Sequence, residues 1–211
     1  MIKIGIELNN VVRNINKQIL KYYQKDIDPS LDLDSVDEKD DPFKYAKFDS
    51  LTDKNEFIYI DYPYEIYACA KTMDKELPSL LNNWLSELTN YEEDEVEVSF
   101  FSLDEEALTI QSSYFFLSKI GTRVRKIVFP KDISEILNEY DVVITGNKNV
   151  IDFFNNNGSN STYIIQISNN TNEDCKADKK YESLNELIKD EKLLEILQGF
   201  VNNKNKDVVN G

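Results

Sequence analysis

Two residues with contrasting chemistry follow the first apolar run of the chain, in the segment IGIELNNVVRN (residues 4–14). Glu7 can supply a charged carboxylate, whereas the amide of Asn9 cannot give or take a proton at neutral pH. The chain contains no histidine, which removes the commonest general base, the commonest transition-metal ligand and every Ser-His or Cys-His dyad. The segment therefore either uses the Glu7 carboxylate for catalysis or belongs to a scaffold without catalytic chemistry.

The composition is that of a globular protein with an acidic surface. The 211 residues are 41% hydrophobic and 30% charged, which is enough for one domain with a core and a small appendage. The net charge of −15 argues against binding to a nucleic-acid backbone or to anionic membranes. The same net charge is compatible with a basic protein partner, and it also fits a surface that only keeps the protein in solution.

The lack of a recognisable targeting signal and the two isolated cysteines lead us to expect a cytoplasmic protein. No apolar run approaches the ~20 residues that span a bilayer. The N-terminus is too short and too charged for a signal peptide. We therefore expect the protein in the cytoplasm of the cell that makes it. Cys69 and Cys175 are expected to be reduced thiols there.

Strand and helix patterns alternate after residue 75, which predicts parallel strands joined by right-handed crossovers in a layered α/β sheet. Ligands of such folds bind at the carboxyl ends of the strands. Helices are predicted at 11–25 and 75–89, in a segment that stops at Gly121, and after the capping pair Ser183 and Glu186. The predicted strands are residues 2–7, 95–102, 123–129, 141–145 and 162–168.

The stretch between the first two helices is predicted to be an insertion beside the main sheet. We assign residues 1–25 and 75–198 to the core, 26–74 to an acidic, aromatic-rich, cap-like insertion, and 199–211 to a flexible tail. The acids of the insertion lack the spacing and the glycine of a calcium loop, which favours an exposed loop. The aromatic residues of FIYIDYPYEIY (57–67) fit either a core or an interface, and the sequence does not separate the two.

Four segments of the chain carry a family resemblance: EFIYIDYPYEIYACA, SYFFLSKIG, YDVVITGNKNVI and KKYESLNELI. They resemble the haloacid dehalogenase-like (HAD) superfamily, and among its members the small nucleotidase-like proteins often encoded by phages. The resemblance covers most of residues 1–190 and implies a three-layer, Rossmann-like HAD fold with a parallel central sheet, flanking helices and a small cap.

In that family an aspartate after the first strand attacks phosphorus, a second one acts as acid and base, and acids after the fourth strand hold Mg²⁺. By resemblance, Glu7 falls at the nucleophile, and its extra methylene moves the carboxylate forward by more than an ångström. Asn9 falls at the acid/base, where loss of proton transfer typically costs ~10²–10⁴-fold in rate. Thr145 and Gly146 fall at the metal-holding acids. The resemblance therefore implies an altered centre.

Two positions keep the family's residue type. Ser102 falls where a hydroxyl holds phosphoryl oxygens, and Lys131 falls where a lysine neutralises charge. Ser102 also begins the capping pattern Ser-Leu-Asp-Glu, so it has the alternative role of a helix start. Lys131 fits a solvated loop lysine, and Asp132 and Glu135 fit helix-start residues. Glu7 itself fits a structural carboxylate stabilised by the N–H groups of a following helix.

We predict a catalytically inactive HAD-like protein that acts as a binding or assembly module for other proteins, in the setting of a phage structural or virion-associated component. No catalytic residue, cofactor or metal is expected at the remnant positions. The alternatives are a weak Mg²⁺-dependent phosphatase of the 5′-nucleotidase kind that uses Glu7, Ser102 and Lys131, and a nucleotide-binding sensor. Whether the protein is an enzyme is therefore left open, with the inactive form favoured.

Overall fold

The computed structural model describes residues 2–90, 96–103, 105–122, 126–137, 139–157, 162–193, 195 and 199. Its centre is a six-stranded sheet in the order β3-β2-β1-β4-β5-β6, and all neighbouring strands are parallel. The predicted α/β class is confirmed. The strands are β1 Ile2–Glu7, β2 Val96–Phe101, β3 Ile127–Val128, β4 Val142–Thr145, β5 Tyr163–Ile167 and β6 Lys179–Tyr181.

In the part of the chain that the structure describes, six α-helices and five shorter helical turns join the strands. Short 3₁₀ segments lie at Leu33–Ser35, Pro42–Lys44 and Ile133–Ile136, and π-helical segments lie at Phe57–Asp61 and Tyr64–Ala68. None of the helices in the described ranges is both long enough and apolar enough to cross a membrane. The α-helices are α1 Ile15–Asp26, α2 Leu51–Glu56, α3 Leu77–Asn90, α4 Ala107–Lys119, α5 Lys148–Asn157 and α6 Leu184–Ile188.

Helices cover both faces of the sheet because successive strand residues point to opposite sides. Ile144 belongs to an apolar cluster shared with α3, α4 and α6. Its neighbour Val143 belongs to a second cluster, which α5 completes with Val150, Ile151 and Phe154. The sheet and its two helical layers give the three-layer, Rossmann-like architecture that the sequence predicts.

The stretch between α1 and α3 has its own apolar cluster, which rests on α1. Tyr23 of α1 packs edge-on against Phe57, with 6.5 Å between ring centroids. Ile66 and Tyr67 are buried in the same cluster. Most of the aromatic segment is therefore core, although Ile60 is 68% exposed. The domain boundaries at residues 25, 74 and 198 stay predictions.

The helix ends follow local rules in most places. The α4 helix ends before Gly121, whose φ of +66° is the left-handed conformation that favours glycine. The Gly121 N–H donates to the Ser118 carbonyl and the Thr122 N–H to the Leu117 carbonyl, so the predicted C-cap is confirmed. The Ser183 hydroxyl accepts the Glu186 N–H at 3.2 Å, as predicted for the start of α6.

Several predicted elements differ from the structure. The α1 helix begins at Ile15 rather than at residue 11, because residues 9–13 form a turn closed by a hydrogen bond from the Asn10 N–H to the Arg13 carbonyl. The last segment of the sheet, β6, was not predicted, since Lys-Lys-Tyr carries no strand pattern. Residues 123–125 of the third predicted strand and all of the predicted tail except residue 199 lie outside the described residues.

Candidate functional site

A cavity of about 540 Å³ lies at the carboxyl end of the sheet. Loops that follow β1, β4 and β5 form one wall, with Glu7, Asn9 and Gly146 among the lining residues. The stretch between α1 and α3 forms the opposite wall, which includes Asp40 and Phe43. This is the position where parallel α/β sheets bind ligands, so it is the candidate site.

Glu7 lies at the tip of β1 with its side chain turned toward the tip of β4. One of its oxygens, Oε2, accepts the Thr145 hydroxyl at 2.6 Å and the Gly146 N–H at 3.1 Å. The Thr145 Oγ1 in turn accepts the Asn147 N–H at 3.0 Å. The ends of the two central strands are thus joined directly through the carboxyl group.

Burial controls the protonation of Glu7, which is only 3% exposed. Removal from water raises the pKa of this carboxyl to about 7, and the hydrogen bonds from Thr145, Gly146 and Asn147 offset part of that effect. A substantial fraction of the molecules therefore carries a neutral Glu7 at pH 7.

Asn9 is held by an arginine in the same turn. Its Oδ1 accepts the Arg13 Nε–H at 2.8 Å. Arg13 is fully buried and forms an ion pair with Glu105. Its Nη1 donates to the Ser113 hydroxyl at 2.7 Å, and that hydroxyl donates to Glu105 at 2.5 Å. The amide at the acid/base position is thus one member of a buried polar network.

Ser102 and Lys131 do not line the cavity, although the sequence places both near it. The predicted capping role of Ser102 is wrong. The α4 helix starts at Ala107, and its capping box joins Glu106 to Thr109. Ser102 instead continues the sheet, where its N–H pairs with the Val128 carbonyl. Its hydroxyl is buried without a hydrogen-bond partner among the described residues.

The surroundings of Lys131 match a solvated loop lysine, which is the alternative role given for it above. Lys131 is exposed in the turn after β3. Asp132 accepts the Ser134 N–H at 2.7 Å and caps the 3₁₀ segment, so its prediction as a helix-start residue is confirmed. Glu135 lies in the first turn of the same segment. Asp104, the third residue of the pattern that begins at Ser102, lies outside the described residues.

A cluster of asparagines fixes the loop that carries Thr145 and Gly146, and the sequence analysis missed it. The fully buried Asn172 donates to the carbonyls of Gly146 and Ile167 at 2.8 and 2.9 Å. Its Oδ1 accepts from the side chain of Gln166 and from the Asn169 N–H, both at 2.9 Å. Asn169 adds a second donor to the Gly146 carbonyl at 2.7 Å. The only signal in the sequence was the density of asparagines after β5.

The cavity wall holds acids and lysines that already pair with one another. Lys39 bonds Glu182 at 2.7 Å. Asp40 bonds Lys44 at 2.7 Å, and hydrogen bonds from Lys44, Tyr45 and Asn170 lower the pKa of Asp40 to about 2. These contacts fasten the acidic stretch to the end of the sheet. The Lys54 ammonium lies over the Phe43 ring, 3.4 Å from its centroid.

The donor set at the strand tips does not match the oxygen cage that a divalent cation needs. Mg²⁺ binds through carboxylates and keeps an octahedral shell of oxygens. Here the Glu7 carboxyl meets a hydroxyl and an N–H that donate to it, rather than a second carboxylate. Within the described residues, no group of three or more His, Cys, Asp or Glu side chains is placed to hold a metal ion.

Comparison with known proteins supports the fold. No protein-family model and no curated protein matches the chain. Among solved structures, the fold matches a protein described as a haloacid dehalogenase-like hydrolase from Burkholderia xenovorans LB400, with a TM-score of 0.53. The match covers 92% of this chain and 98% of that chain at 10% sequence identity, so the likeness concerns the fold. The chain therefore has the three-layer, Rossmann-like α/β fold that its sequence predicts, similar to the fold of that protein.

Proposed function

We propose that this protein is a HAD-like binding module that does not carry out phosphoryl transfer. The observation that carries the proposal is the direct contact of Glu7 with Thr145 and Gly146. In an aspartate-based centre, the corresponding carboxylate must face phosphorus and share a metal ion with acids of the fourth strand. Here one carboxyl oxygen is bound by two donors from that strand instead.

The protonation states support the same conclusion. With a pKa of about 7, the Glu7 carboxyl is only partly ionised at neutral pH, so the carboxylate form that a nucleophile requires is present in only part of the molecules. The Asn9 amide cannot transfer a proton, and its oxygen is bound to Arg13. Loss of general acid catalysis alone typically costs ~10²–10⁴-fold in rate. These losses fall on the nucleophile and the proton donor together.

Absence of a metal cofactor is part of the proposal. The residues at the tips of β1 and β4 do not fit Mg²⁺, because β4 offers the Glu7 carboxyl a hydroxyl and an N–H that donate to it rather than a second carboxylate. The protein's role is then to bind other proteins through its surface, which agrees with the exposed apolar residues of α4 and of the segment 57–68. A place in a phage particle stays a prediction from the sequence.

A phosphatase assay tests the proposal. Purified protein with Mg²⁺ and a generic aryl phosphate should give no turnover above buffer. Glu7→Gln is the test variant. Glu182→Gln is its matched control, because it also removes a carboxyl group from the cavity wall. Turnover that is lost in Glu7→Gln and kept in Glu182→Gln would overturn the proposal, whereas activity lost in neither variant identifies a contaminating enzyme.

A weak phosphatase is the second candidate, and one observation favours it. Glu7 lines a cavity large enough for a small phosphate ester, in a fold shared with a protein described as a hydrolase. The nucleotide-sensor alternative has less support, since neither Ser102 nor Lys131 lines the cavity. Thermal-shift measurements with deoxynucleotides test that alternative, and no shift at millimolar ligand would eliminate it.

A further inference from the structure

Five large apolar side chains are exposed where α4 meets the segment 57–68. The rings of Tyr64 and Phe115 are in contact, with 5.5 Å between centroids. Leu108 lies seven residues before Phe115 and therefore shares its face of the helix. In the described part of the chain eight large apolar residues are exposed, and five of them lie here. We call this set the aromatic surface: Ile60, Tyr64, Leu108, Tyr114 and Phe115.

Buried neighbours hold the two segments that carry the aromatic surface in place. Phe116 and Leu117, next to the exposed residues of α4, are buried in the main core. Ile66 and Tyr67, next to Tyr64, are buried in the cluster on α1. The Lys119 ammonium donates to the carbonyls of Ala68 and Ala70 at 2.8 and 3.0 Å, which ties the end of α4 to the neighbouring segment. Little conformational freedom is therefore lost when a partner binds.

Acidic residues outnumber basic ones around the aromatic surface. Residues 56–68 and 105–118 contain five acids and no lysine or arginine. Glu105 is neutralised inside the protein by Arg13, which leaves Glu56, Asp61, Glu65 and Glu106 at the border. Lys119, one turn of α4 after Phe115, is a basic residue at this border, and the carbonyls of Ala68 and Ala70 bind its ammonium.

The acidic border selects among possible partners. A second copy would bring acidic borders together in a protein of net charge −15, and an anionic bilayer would be repelled in the same way. A basic protein surface gains steering and specificity from the same charges. Clustered exposed aromatic residues are typical anchors of protein interfaces.

We propose that the aromatic surface docks a protein partner that presents an apolar ridge flanked by lysine or arginine. This inference rests on the proposed binding function and gives it a location and a partner chemistry. An amphipathic helix with a basic polar face has the required form, since its apolar residues repeat along one side.

Two fluorescent model peptides test the inference. Both are amphipathic helices with the same leucine face, and their polar faces carry either lysine or glutamate. The lysine peptide should bind the full chain, and the Tyr64→Ser, Phe115→Ser double variant should weaken it at least about tenfold. Ile27→Ser is the matched control, because Ile27 lies at the end of α1 and is 47% exposed, as Tyr64 is. Near-UV circular dichroism shows that each variant is folded.

A second double variant tests whether the acidic residues at the border contribute to binding. Asp61→Asn with Glu65→Gln should weaken the lysine peptide several-fold and reduce the salt dependence of its binding. The inference is overturned if the two peptides bind equally, if Ile27→Ser weakens binding as much as the double variant does, or if sedimentation shows a dimer that Tyr64→Ser, Phe115→Ser disperses. The phosphatase assay is a separate measurement, so turnover dependent on Glu7 overturns the proposed function without deciding the fate of this surface.

Discussion

The Arg13 guanidinium and the Glu105 carboxylate form an ion pair in which neither side chain is exposed to solvent. The pair joins the turn after β1 to the stretch before α4, 92 residues further along the chain. The guanidinium also lies over the rings of Tyr67 and Phe116, at 4.9 and 5.6 Å from their centroids. Burial lowers the pKa of Arg13, and the charge of Glu105 opposes that effect. The network is the polar link among three parts of the fold.

Removal of one partner of this ion pair should destabilise the protein strongly. Glu105→Gln leaves a buried guanidinium without its counter-charge, which typically costs about 3–5 kcal/mol. Urea denaturation measures the free energy of unfolding. Asp49→Asn, at an exposed position, is the control and should change that free energy by less than about 0.5 kcal/mol. The Arg13→Met, Glu105→Leu double variant should lose less than the sum of the two single variants, and additive losses would contradict the coupling.

This ion pair also marks the limit of the sequence analysis. The parallel sheet, the positions of most strand ends and the glycine stop of α4 follow from patterns within about fifteen residues, and they were predicted. The burial of Arg13 depends on a contact with a residue far along the chain, so the sequence offered no sign that this arginine differs from a solvated one. The start of α4 also differs from the capping pattern at Ser102, since the helix begins at Ala107 with a capping box of Glu106 and Thr109.

The asparagine cluster behind the candidate site should be equally sensitive. Asn172→Ala removes the side-chain partner of the Ile167 carbonyl and of the Asn169 N–H. The Gly146 carbonyl keeps the bond from Asn169, and the Gln166 amide keeps the backbone carbonyl of residue 172. Each unsatisfied buried group typically costs about 1–3 kcal/mol, so a loss of about 2 kcal/mol or more in unfolding free energy is expected.

Two further variants make the asparagine experiment specific. Asn172→Asp keeps the shape but directs a carboxylate oxygen at two carbonyl oxygens, so it should be no more stable than Asn172→Ala. Asn170→Ala removes an exposed neighbour that bonds Asp37 and Asp40, and it should cost less than about 1 kcal/mol. Equal losses of unfolding free energy at positions 170 and 172 would show that the buried hydrogen bonds of Asn172 contribute no more than the exposed ones of Asn170.

Gly5, in the middle of β1, makes room for an aromatic ring. A methyl group at this position would lie 2.7 Å from two ring atoms of Tyr140, closer than packed carbon atoms approach. Gly5→Ala should therefore lower the unfolding free energy by about 1–3 kcal/mol. In a Tyr140→Leu background the added loss should be smaller. Gly199→Ala is the control, since a methyl group there meets no atom within 4 Å, and a loss equal to that of Gly5→Ala would contradict this account.

The protonation of Glu7 should appear as a pH dependence of stability. The pKa is raised from 4.5 to about 7 in the folded protein, mainly by burial. Between these two values the folded state holds a proton that the unfolded chain has released, so unfolding releases a proton and stability falls as pH rises. Above about pH 7 the effect levels off. At about 1.4 kcal/mol for each pH unit, the loss reaches roughly 3 kcal/mol.

Comparison of two pH profiles isolates this group from the other carboxyls. Urea denaturation of the wild type and of Glu7→Gln at pH values from 4 to 8 gives the difference in unfolding free energy at each pH. Because the amide does not titrate, the wild type should lose stability relative to Glu7→Gln as the pH rises, by roughly 3 kcal/mol in total. Profiles that run parallel would place the Glu7 carboxyl in contact with water, because its pKa would then be the same in the folded and unfolded protein. The tips of β1 and β4 would then be arranged differently from the contact of Glu7 with Thr145.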